Sequence, residues 1–210
     1  MRYLHQILLL TLFGCLLISL PLHSASQTVK KTDSLCSNCE KKLSVVKQTD
    51  GERVRSIAYG LVGTKEVGDN DGYWVARFLK SVGLKPGNQW CAAFVSFVLD
   101  SAKVTTMKTR SGLARHFITK NKTIKATKVS FENMKIPMGT VLVWRRGTTL
   151  FGHVGFTDNW QGKSGTTIEG NTSSGKSGSQ WSGGGVWSRK RTINPYDHFR
   201  ITDFALLDQK

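Results

Sequence analysis

The sequence predicts an α+β fold, with helices first and an antiparallel sheet of about five strands packed against them. Two observations carry this expectation. Apolar residues recur at helical spacing between residues 52 and 118, and beyond Pro137 short apolar runs alternate with clusters of Gly, Ser and Asn. A third observation lies between them. The turn-rich Lys85-Pro86-Gly87-Asn88-Gln89 runs straight into the apolar Trp90-Cys91-Ala92-Ala93-Phe94-Val95, which puts a cysteine in the first turn of a helix.

In chain order, residues 1–26 read as an export signal. Arg2 is followed by the apolar run Ile7 to Leu20, then by Pro21 and the small residues Ser24-Ala25-Ser26, a run too short to span a membrane. Cleavage near Ser26 is the favoured reading; a lipoprotein box, Leu12-Phe13-Gly14-Cys15, is a second, with bulky Phe13 counting against it. Residues 27–51 are rich in Lys, Ser, Thr and Asp and read as a polar linker, so the folded domain is expected over 52–205 with a tail at 206–210.

From Glu52, the residues Val54, Ile57, Ala58 and Leu61 predict a first amphipathic helix. Tyr73 to Val82 predicts a second, with Trp74, Phe78 and Leu79 on one face and Gly83 as its stop. In the third, Cys91, Phe94, Val95 and Val98 share a face, so the thiol points at whatever the helix packs against. Ser111 to Ile118 reads as a further short helix and the lysine-rich Lys120 to Lys128 as a solvated loop. Strands are expected at Thr140–Trp144, His153–Thr157, Thr166–Glu169, Gly185–Arg189 and Phe199–Thr202.

The chain carries 30 Lys and Arg against 14 Asp and Glu, a formal charge of +16. Outside the cytoplasm that excess suits anionic wall polymers or anionic lipid headgroups. No nucleic-acid recognition motif is present, and the basic residues are scattered rather than gathered in one arm, so nucleic acid is not expected as a partner. Gly68-Asp69-Asn70-Asp71-Gly72 lacks the closing Glu of a calcium loop and reads as a turn, so no metal is expected. Without the signal, three cysteines remain. Cys36 and Cys39 can pair with each other or with another chain, and Cys91 is left over, as a thiol kept for its reactivity.

At a helix N-terminus, unsatisfied backbone N–H groups and the macrodipole favour a thiolate. The competing reading of Cys91 is a small buried hydrophobe. A nucleophilic cysteine needs a base, and the base needs an orienting group. His116 stands beside Arg115, and His198 sits in an expected surface turn. His153 begins a strand just after Gly152, which leaves room for close approach. Glu169, at the end of the next strand, can lie beside His153 if the two strands are antiparallel neighbours; Asn171 is the substitute. Gln89, just before the thiol, is the side-chain candidate for an oxyanion donor. Trp90, Trp144, Trp160, Trp181 and Trp187 either line a groove or pack the core.

Gly87-Asn88-Gln89-Trp90-Cys91-Ala92-Ala93-Phe94-Val95-Ser96, Pro137-Met138-Gly139-Thr140-Val141, Gly152-His153-Val154-Gly155-Phe156 and Ile168-Glu169-Gly170-Asn171-Thr172 together resemble the CHAP family. These are cysteine, histidine-dependent amidohydrolases and peptidases of the papain-like superfamily, close to NlpC-like enzymes. The resemblance covers roughly residues 52 to 205, with its blocks in the family's order. It implies a papain-like arrangement, cleavage of amide bonds in peptidoglycan without a cofactor, Cys91 as nucleophile, His153 as base, Glu169 as acidic third member and Asn171 as a nearby polar residue. A non-catalytic wall-binding module and an exported amidase toxin are the alternatives. The long Gly/Ser stretch from Ser173 to Gly185, the lysine-rich loop and the Cys36/Cys39 lead lie outside the resemblance.

Overall fold

Helix α1 (Asp50–Gly60) opens two residues before the expected start at Glu52, because Thr49 and Glu52 form a capping box. The Glu52 N–H donates to Thr49 Oγ1 (3.2 Å) and the Thr49 N–H donates to Glu52 Oε2 (2.8 Å). The structure, a computed structural model, describes residues 47–120, 122–175 and 183–207. All of these lie within the unit Val46–Lys210. Cys15, Cys36, Cys39 and Trp181 lie outside the described residues. No helix among the described residues is long and apolar enough to cross a membrane.

Helix α2 (Tyr73–Lys80) buries Val75, Phe78 and Leu79. Trp74 is turned partly outward and stacks on Phe78 with ring centroids 6.0 Å apart, so the core stripe starts one residue later than expected. Gly83, at φ 72°, ends the segment: the Leu84 N–H reaches back to the Leu79 carbonyl (2.9 Å). Helix α3 (Cys91–Ser101) is apolar nearly all round and is buried nearly all round, from Cys91 to Val95 and at Ser96, Val98 and Leu99. Around Ser111 to Ile118 only a 3-10 turn forms, at Ala114–Phe117.

The sheet is antiparallel throughout, in the order β1-β7-β3-β4-β5-β6 with the short β2 paired to β4. The five expected strands are present as β3 (Val141–Arg146), β4 (Gly152–Gln161), β5 (Ser164–Thr172), β6 (Gly185–Thr192) and β7 (Phe199–Ala205). Two short strands raise the count above five, β1 (Thr123–Lys125) and β2 (Lys135–Ile136). The stretch read as a solvated loop, Lys120 to Lys128, therefore holds β1 and the start of helix α4 (Ala126–Phe131). Its lysines hide an apolar set: Ala126 and Val129 are buried against the sheet, and Lys125 Nζ reaches the buried carboxylate of Asp203 at 2.5 Å.

Both faces of the sheet are covered, which is why β3 reads as an unbroken apolar run. Helices α1 to α3 pack on Val141, Val143, Val154, Phe156 and Ile168, while α4 joins Leu142, Trp144, Trp160 and Phe204 in a second core. Strand β4 contributes to both cores although its apolar residues keep even numbering. The register with β5 shifts between Thr157 and Asn159, and that bulge turns Trp160 to the other side.

Candidate active site

Cys91 is the first residue of α3, with Trp90 at the cap position, and its side chain sits at the floor of a cleft of about 250 Å³. Gln89, His153 and Asn171 reach the same cleft. Apolar side chains from two separate loops also line it, Leu113 before the 3-10 turn and Leu150 and Phe151 in the β3–β4 hairpin. These three are exposed by 42%, 63% and 62%, and sequence alone marks none of them as part of a site. His116 bonds Ser111 Oγ through Nδ1 (2.8 Å), His198 is exposed, and neither lines the cleft. Trp90, Trp144 and Trp160 are buried packing residues, and none of the described tryptophans lines the cleft.

Strands β4 and β5 are antiparallel neighbours, and this pairing brings Glu169 to His153. His153 Nε2 donates to Glu169 Oε2 at 3.0 Å with both side chains buried, which leaves the other ring nitrogen, Nδ1, for the Cys91 thiol in the same cleft. The room at Gly152 serves the protein itself. A Cβ there would lie 2.5 Å from the Trp144 carbonyl oxygen, so the glycine lets β3 close on the start of β4 beside the histidine. The Trp144 and His153 rings, on paired residues, lie 5.1 Å apart and tilted by 59°.

Burial works against a charged imidazole. Hydrogen bonding with Cys91 and Glu169, together with their charges, outweighs it and raises His153 to about 9. Burial likewise works against the Glu169 carboxylate, but hydrogen bonds from Arg191 and His153 and the charges of both hold it well below the usual carboxylate range. Sequence alone does not mark Arg191, because the expected strand stops at Arg189 and a run of basic residues reads as exposed. The available signal was alternation: Trp187, Arg189 and Arg191 share one face of β6, across from Glu169 and Thr167.

Asn171 does something different from Glu169. Its side-chain amide donates to Gln89 Oε1 at 2.6 Å. Between Glu169 and Thr172 the register with β6 shifts, and Asn171 stands at φ 55°, in the left-handed region that Asn tolerates better than most residues. Without that bulge, residues 169 and 171 would point the same way. With it, the carboxylate stays with His153 and the amide turns into the cleft.

Gly170, between them, sets the height of helix α3 above the sheet. A Cβ there would lie 2.6 Å from Phe94 Cγ and 2.8 Å from Trp90 Cζ3, so β5 and α3 touch through a missing side chain. Gly170→Ala is expected to lift the start of α3 from the sheet, costing about 1–3 kcal/mol from overpacking. It should also lower the turnover rate, because Cys91 moves with the helix. Thermal melting and rate measurement on one preparation check this; a destabilised variant with an unchanged rate would show that the thiol's position does not depend on this contact.

Residues 83–171 match the family model of the CHAP domain. The match begins in the turn before α3 and ends at Asn171, so it holds Cys91, His153 and Glu169 and stops before Arg191. No curated protein and no solved structure matched the chain.

Proposed function

With a CHAP domain running through Cys91, His153 and Glu169, we propose that the chain is an exported hydrolase that cuts amide bonds of bacterial peptidoglycan with Cys91 as nucleophile. The observation that supports this best is the buried His153–Glu169 hydrogen bond, with His153 and the Cys91 thiol lining one cleft.

In this reading Cys91 Sγ, as the thiolate of a thiolate–imidazolium pair, attacks the amide carbonyl carbon. The C–S bond forms as the carbonyl π pair moves onto oxygen. The resulting oxyanion faces the Cys91 backbone N–H, which as the first of the helix has no intrahelical acceptor. Gln89 supplies the second donor: Asn171 holds its Oε1, so its amide NH2 is turned away from Asn171. His153 gives its Nδ1 proton to the leaving nitrogen, the C–N bond breaks and a thioester remains. Water then attacks the thioester carbon while His153 takes its proton, the C–S bond breaks, and a carboxylic acid leaves. Throughout, Glu169 keeps Nε2 protonated and the ring aligned.

Purified peptidoglycan incubated with the protein should release soluble fragments whose masses show newly hydrolysed amide bonds. A preparation that releases none overturns the reading and favours the non-catalytic wall-binding module. The positive charge of the chain has its own expected result. Retention on intact walls should fall steeply with salt, since screening shortens to about 3 Å at 1 M, while turnover of small soluble muropeptides changes little. Wall retention that ignores salt would point to a specific pocket instead of the basic surface.

A further inference from the structure

We propose that Arg191 is a positioning residue for this chemistry, locking the Glu169 carboxylate in the orientation that presents Oε2 to His153 and keeping a negative charge there. The proposal rests on the catalytic reading above and extends it to a residue beyond the matched domain.

Glu169 is completely buried, and each of its oxygens accepts two hydrogen bonds. Oε1 takes Thr167 Oγ1 (2.5 Å) and Arg191 Nε (2.7 Å); Oε2 takes His153 Nε2 (3.0 Å) and Arg191 Nη2 (2.5 Å). All four acceptor sites of the carboxylate are thus filled, and half of them by one guanidinium fork. The fork is itself held: Nη2 also reaches Thr172 Oγ1 (3.3 Å), and the guanidinium carbon lies 5.7 Å from the centre of the Trp144 ring, the same ring that lies beside His153.

The charges alternate along this line. Cys91 on α3 is anionic when ionised, His153 on β4 is cationic when protonated, Glu169 on β5 is anionic and Arg191 on β6 is cationic. Arg189, also on β6, is a further charged group whose field reaches Glu169 and Arg191, and its guanidinium is hydrogen-bonded to Ser173. Without Arg191, a buried carboxylate facing a single imidazolium is short of positive charge. Moving the proton from His153 to Glu169 would then relieve the buried ion pair and leave the thiol without its cation. Arginine stays protonated under all these conditions, so it keeps that proton on the histidine.

The test is an NMR titration of the His153 ring and the Glu169 carboxyl in the wild type, Arg191→Gln and Arg191→Lys, with kcat/KM measured over the same pH range. In folded Arg191→Gln the Glu169 midpoint is expected to rise by about one unit, as for loss of an opposite charge at this range, and the His153 midpoint to fall as the carboxylate holds its proton less firmly. The acid limb of the rate profile should rise with the Glu169 midpoint. Arg191→Lys should return both midpoints most of the way. Folded Arg191→Gln with unmoved midpoints and a rate loss equal at every pH would overturn the proposal, leaving Arg191 a structural ion-pair partner. Should Arg191→Gln fail to fold, the wild-type carboxyl decides: resistance to protonation well below pH 4 supports the proposal, and an ordinary midpoint near 4 overturns it. The midpoints need no turnover, so failure to hydrolyse peptidoglycan would sink the catalytic reading while the role of Arg191 is still decided.

Discussion

Cys91→Ser is expected to abolish peptidoglycan hydrolysis, by more than about a thousandfold, while leaving the fold in place. Serine is nearly isosteric with cysteine, and the position is the first of α3, where a small polar side chain fits, so stability should change by less than about 1.5 kcal/mol. What serine lacks is an ionised form that His153 can stabilise near neutral pH. The thiol's hydrogen bond and charge are among the causes that raise His153 to about 9, so the same substitution should also lower the histidine's midpoint. Lysis, circular dichroism and the His153 titration are to be measured on one preparation. Residual lysis at the wild-type rate would remove Cys91 from the chemistry altogether.

Glu169→Gln is expected to be nearly as damaging, for two separable reasons. It removes the anion that holds the imidazolium, so the rate should fall by about a hundredfold. In the wild type the imidazolium persists until the pH rises through about 9, and activity should be lost across that range; in the variant this base limb should move to lower pH. The second reason is structural. Arg191 would be left buried without its carboxylate, a loss of about 3–5 kcal/mol, so the rates must be taken well below the lowered melting temperature. Asn171→Gly is the control, because glycine accepts φ 55° without strain and only the amide is lost. It should lower the rate through Gln89 and leave the pH profile where it was. A wild-type profile for Glu169→Gln beside an inactive Asn171→Gly would make Asn171 the group that orients His153.

The order of helices before strands was legible in the sequence because it depends on local periodicity. So was a cysteine at the start of an apolar helix, since a turn cluster followed by an apolar run is a local pattern too. The pairing of His153 with Glu169 was legible as a condition: it required β4 and β5 to be antiparallel neighbours, which the two-residue connection Gly162-Lys163 favours. The lysine-rich stretch misled because charge outweighed Ala126 and Val129 in a short window, although lysine stems leave those residues free to face the sheet. The tertiary structure alone decided the rest of the site. A one-residue bulge cannot be seen in a sequence whose alternation runs on through it, yet that bulge separates Asn171 from Glu169 and gives the amide to Gln89. Whether an arginine is buried depends on whether a carboxylate on the neighbouring strand compensates for its lost water, so Arg191 takes its meaning only from Glu169. The apolar wall is built from Leu113 and Phe151, far apart in the chain and exposed, and no local pattern marks an exposed apolar side chain as lining a cleft until the chain has closed around the thiol.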